Sequence, residues 1–173
     1  MQQVSPEALR GLAADIDAEL GHLRRLVGEV AAVQEEIVRD PGHSGLFYEN
    51  LALKLHNFYT GCERIFQTVA SELNGGAPTG FDWHRRLLER METAWQGRPA
   101  LLAPATVQNL REYLAFRHVV RSIYGFELDA ERIERLVSRY PVVWSQVETD
   151  VQRFTAWLYA MADQLADSQE FRS

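Results

Sequence analysis

The sequence predicts an all-α fold, an antiparallel up-and-down bundle of four to five long helices. Three observations carry this. Apolar residues recur at three- and four-residue steps through most of the chain. Glycine and proline breaks are few, at Asp40-Pro41-Gly42, 74–80, 97–104, Tyr124-Gly125 and Pro141. No stretch shows the strict alternation of a half-buried strand; Val142-Val143-Trp144 is too short to count.

The first helix is expected from Pro6 to Arg39. Ser5 supplies an N-cap, and Pro6 takes the first helical position. Leu9, Leu12, Ile16, Leu20, Leu23, Val27, Val30 and Ile37 form its core-facing stripe. Such a helix spans roughly 50 Å at about 1.5 Å per residue. The second is expected over about Ser44 to Leu73. Phe47, Leu51, Leu55, Phe58, Cys62, Ile65, Phe66, Val69 and Leu73 make its apolar face. Asn50, Lys54, Asn57, Gly61, Arg64 and Thr68 make a polar one. Cys62 on the apolar stripe reads as a buried, inert thiol. A third helix follows over 81–95 and a fourth over about 105–124. Asp129 then caps a fifth segment to Tyr140. Pro141 marks a kink or a new start before the stripe resumes at Trp144, Val147, Val151, Phe154, Leu158 and Leu165.

Composition narrows the function. The chain has 173 residues, 46% hydrophobic and 24% charged, which suits one globular domain over 1–173. The net charge of −6 argues against a generally basic nucleic-acid coat. No apolar run is long enough to span a bilayer, the N-terminus lacks an export signal, and Cys62 has no partner cysteine. A cytoplasmic protein without disulfides, Cys-based zinc or membrane contact is expected. P-loop, dinucleotide, zinc-protease and nucleophile-elbow motifs are missing. His22, His43, His56 and His84 read as surface or core-edge histidines, His56 as a satisfied one at the face boundary.

The informative stretch is Arg111-Glu112-Tyr113-Leu114-Ala115-Phe116-Arg117-His118-Val119-Val120-Arg121-Ser122-Ile123-Tyr124. Arg111 and His118 share a helix face two turns apart, and Arg117 and Arg121 stack along one side. Like charges at that spacing repel. Either an anion offsets them, or Glu112 and acids from other helices do. Between Arg85 and Arg121, seven arginines (85, 86, 90, 98, 111, 117 and 121) face only Glu89, Glu92 and Glu112. The acidic chain thus carries one arginine-rich sector.

At these residues the sequence resembles the HepT-like branch of the HEPN superfamily. The branch motif is Arg-x4-His-x-Tyr. Arg117 to Tyr124 match its spacing, with Ser122 where the histidine belongs. The run 49–66 resembles the family's second helix and Trp83-His84-Arg85-Arg86-Leu87-Leu88 its third, so the likeness covers about 44–160. The resemblance implies a HEPN-like domain and a homodimer whose motifs line a shared cleft. It implies a toxin that cleaves RNA without metal or cofactor, paired with a nucleotidyltransferase-type antitoxin. Arg117, His118, Ser122 and Arg111 are its candidate catalytic residues, and Arg117 and Arg121 its candidate phosphate contacts. Tyr124 is the candidate site of adenylylation. Histidine suits proton transfer near neutral pH, and arginine suits the phosphate charge. A serine is no base at that pH without help. Three accounts of Ser122 stay open: a non-cleaving RNA- or protein-binding module, His118 as substitute through the looser Arg111-x6-His118 spacing, or an engineered inactivating change.

Overall fold

A computed structural model describes residues 5–122 and 128–170, without the side chains of Ser122 and Glu170. Five α-helices and one 3-10 turn (Pro41–His43) make up the regular structure, and among the described residues there is no strand. They are α1 (Pro6–Arg39), α2 (Ser44–Leu73), α3 (Trp83–Met91), α4 (Pro104–Ser122) and α5 (Ala130–Glu170). The all-α bundle expected from periodicity is what forms.

α1 starts as its sequence dictates. The Ser5 hydroxyl accepts a hydrogen bond from the Ala8 amide at 3.1 Å, and Pro6 sits where no amide hydrogen is needed. Its stripe is buried from Leu9 to Val30, against both α2 and α5. Arg10 meets Asp163 and Arg24 meets Glu148, so α1 and α5 run antiparallel. Glu19 meets Arg64 and Glu29 meets Lys54, so α1 and α2 do too. Gly61 belongs to this contact and not to the polar face expected of it. A Cβ there would lie 2.5 Å from Leu23 Cδ2, so glycine is what allows α1 this close.

α2 is the central helix and touches every other one. Phe58 meets Tyr113 of α4 and Tyr140 of α5 edge-on, at 5.3 and 4.8 Å between ring centroids. Cys62 is fully buried, and burial pushes its thiol far up, as befits an inert core residue.

α3 is shorter than the expected 81–95. It begins after Asp82, whose φ of 60° is left-handed, and ends at Met91. The chain then doubles back: Trp95 and Arg98 exchange backbone hydrogen bonds around Gln96 and Gly97, both at positive φ. Arg98 is buried in this turn, donating to Asn74 Oδ1 and the carbonyls of Pro99 and Arg90. It braces the loop and is not part of a surface arginine sector.

α4 is anchored from outside. Buried Asp150 of α5 accepts from the Ala103 amide (2.8 Å) and the Thr106 hydroxyl (2.6 Å), which fixes the helix start. α5 is one continuous helix through Pro141, capped by the Asp129 carboxylate at the Arg132 amide (3.2 Å). Of the kink or new start expected at Pro141, the new start does not occur, because the buried stripe keeps its phase across the proline. Val137, Tyr140, Val143, Trp144 and Val147 all face the core, while the Pro141 ring faces solvent. Among the described residues no helix is long and apolar enough to cross a membrane.

Candidate functional site

Two charges lie on faces that packing otherwise reserves for apolar side chains. Glu63 lies between Tyr59 and Phe66 on the buried side of α2. Arg117 continues the buried row Leu110, Tyr113, Leu114 on α4. Glu63 is 4% exposed and Arg117 7%, so neither carries its charge alone. They meet across the α2–α4 contact, Arg117 Nη2 lying 3.3 Å from Glu63 Oε1.

α3 supplies the third member. His84 Nδ1 pairs closely with the other Glu63 oxygen. The Glu63 carboxylate therefore bridges an imidazole and a guanidinium. As an acceptor, the carboxylate favours a ring hydrogen on Nδ1 and so orients the ring. Arg117 Nη1 lies 3.3 Å from Nε2 and 3.4 Å from Nδ1, over the same ring. Trp83 stacks beside His84 at 3.6 Å, and the edge of His118 meets it at 5.4 Å between centroids, 77° between planes.

His118 is the exposed member and has partners. Desolvation holds its pKa below the ordinary 6.5, helped by His84, Arg117 and Arg121; Glu63 acts the other way. His56, one turn before Thr60 on α2, is pulled the same way by burial and by Arg117 and Arg121. Its Nδ1 is buried without a partner among the described residues, so it is not the satisfied boundary histidine expected from its position. Tyr59 Oη, Thr60 Oγ1 and Arg117 Nε share that condition. Burial of the Tyr59 phenol beside Glu63 pushes its pKa far up, so it stays a neutral hydroxyl.

The remaining arginines divide. Arg111 is exposed and approaches Glu89 of α3 at 4.0 Å, two turns from the cluster. Arg121 is exposed and makes no ion pair among the described residues. Arg117 and Arg121, expected along one side, part company: the first turns inward and the second stays in solvent. Glu112, expected to balance them, pairs with Arg139 instead (2.6 Å). Arg85 pairs with Asp82 and Glu89, while Arg86 and Arg90 bind loop carbonyls. Most of the arginine-rich sector therefore serves local structure. The Ser122 side chain and Tyr124 lie outside the described residues.

A family model described as HepT-like protein matches residues 50–158, which take in most of α2, all of α3 and α4 and most of α5. The chain belongs to the HepT-like HEPN family. The matched span holds every member of the Glu63–His84–Arg117–His118 cluster. No curated protein and no solved structure matches the chain. Sequence reasoning placed Arg117 and His118 in this family's site but missed Glu63 and His84. The signal was there: a carboxylate on one buried stripe and a guanidinium on another require each other.

Proposed function

We propose that this HepT-like protein is the toxin of a toxin–antitoxin pair and cleaves RNA without a metal ion. The observation that supports it is an exposed histidine, held toward its neutral form, beside a cluster rich in cations. A neutral His118 can accept the proton of a ribose 2'-hydroxyl. Exposed Arg121 meets an incoming phosphate, and Arg117, one helical turn earlier, is the second phosphate contact of the proposal. In this reading His118, with Arg111 two turns away, does the work of the histidine absent at Ser122.

The same proposal treats 1–173 as one HEPN-like domain of a cytoplasmic homodimer. An apolar groove of about 480 Å³ supports pairing. It is lined by Leu46, Ala52, Leu53, Val120 and Leu128, with Glu49 and Asn50 as its polar members. Leu46 is 64% exposed and Leu53 56%, a pair of apolar side chains that a second copy would cover. A nucleotidyltransferase-type antitoxin that adenylylates Tyr124 completes the proposal.

A second reading has its own observation. Arg117 is buried and already tied to Glu63, as a structural ion pair is. That favours a non-cleaving module that binds RNA or protein. Expression in growing cells separates the two. The toxin reading expects growth arrest by the wild-type chain, relieved by His118→Ala and by a co-expressed nucleotidyltransferase. Unimpeded growth with the wild-type chain abundant and folded would leave the binding module.

A further inference from the structure

Cleavage of RNA by its own 2'-hydroxyl needs two proton transfers. The 2'-oxygen loses a proton as it bonds to phosphorus, and the 5'-oxygen gains one as its bond to phosphorus breaks. The products are a 2',3'-cyclic phosphate and a free 5'-hydroxyl, and no oxidant or metal enters the balance. One histidine that accepts and another that donates complete the cycle.

The motif region offers only His118, because position 122 is serine. We propose that His84 is the second acid–base histidine of this site, donating to the departing 5'-oxygen while His118 accepts from the 2'-hydroxyl. This rests on the ribonuclease reading above. The geometry of the cluster carries it. The two rings touch, so both lie within reach of one phosphodiester. Glu63 accepts at His84 Nδ1, which fixes the ring. Arg117 Nη1 lies 3.3 Å from His84 Nε2, so a phosphate that draws the guanidinium toward itself opens that nitrogen to the departing oxygen. Desolvation and the neighbours His84, Arg117 and Arg121 hold His118 toward its neutral, accepting form, with Glu63 acting the other way. The His84 side chain is 13% exposed.

The test compares two substrates in the presence of a chelator. One is a single-stranded oligoribonucleotide. The other is uridine 3'-(4-nitrophenyl phosphate), whose leaving group departs without a proton. His84→Asn, which retains an amide hydrogen for Glu63, should slow the oligonucleotide by about 10²-fold or more. It should cut the aryl ester at close to the wild-type rate. His118→Asn should lose both. His84→Gln repeats the comparison, and each variant is melted beside the wild type. Unchanged RNA cleavage in the folded His84 variants, or equal loss on both substrates, overturns the assignment. No cleavage of either substrate by the wild-type chain overturns the ribonuclease reading itself and this inference with it.

Discussion

At the scale of single residues, the Glu63–His84–Arg117 contact ties α2, α3 and α4 together. Glu63→Ala strands a buried guanidinium and should cost about 3–5 kcal/mol. Replacing Glu63 and Arg117 together by methionine should cost less, since no charge is then left unpaired. Urea unfolding of the wild type, Glu63→Met, Arg117→Met and the double variant checks this, and strict additivity would contradict the pairing. The histidines make a second prediction. His118 and His56 are both held below the ordinary 6.5. Each therefore binds a proton more readily in the unfolded chain. Stability rises with pH through the window just below 6.5 and is lost as pH falls through it. His118 faces His84, Arg117 and Arg121 as cations or neutral rings, and Glu63 as the opposing anion. An NMR titration should find its midpoint below 6.5, moving up in Arg121→Gln. Arg117 and His118 were legible because they sit in a motif. Glu63 and His84 were not, because their role exists only where α2, α3 and α4 meet.

At the scale of helices, periodicity located α1 and α2 to the residue, since long amphipathic stripes bounded by glycine and proline breaks leave little latitude. Loops decided the misses. α3 stops at Met91 because 95–98 forms a tight turn around two positive-φ residues, which the apolar pattern does not encode. α5 runs through Pro141 because core packing on both sides outweighs one missing hydrogen bond. Pro141→Ala restores an amide for the Val137 carbonyl at an exposed position and should stabilise by about 1–3 kcal/mol. Two helical glycines, Gly61 of α2 and Gly28 of α1, should behave oppositely when replaced. Gly61→Ala forces Leu23 aside and should destabilise by about 1–3 kcal/mol. Gly28→Ala meets nothing within 4 Å and should stabilise by about 0.5–1 kcal/mol. Thermal melts of the three variants decide these points.

At the scale of the whole molecule, an acidic bundle buries a charged cluster where α2, α3 and α4 meet. The net charge of −6 is carried by a surface on which most arginines are already engaged by acids or loop carbonyls. In the proposed site, exposed Arg121 and His118 are the groups that meet a phosphate, a narrower site than the arginine count suggested. The central claim is that this site cleaves RNA without metal. Purified chain incubated with single-stranded RNA in excess chelator tests it most directly. The account predicts fragments ending in 2',3'-cyclic phosphate from the wild-type chain and background from His118→Ala. Intact RNA with the folded wild-type chain, or equal cleavage by both proteins, would contradict it.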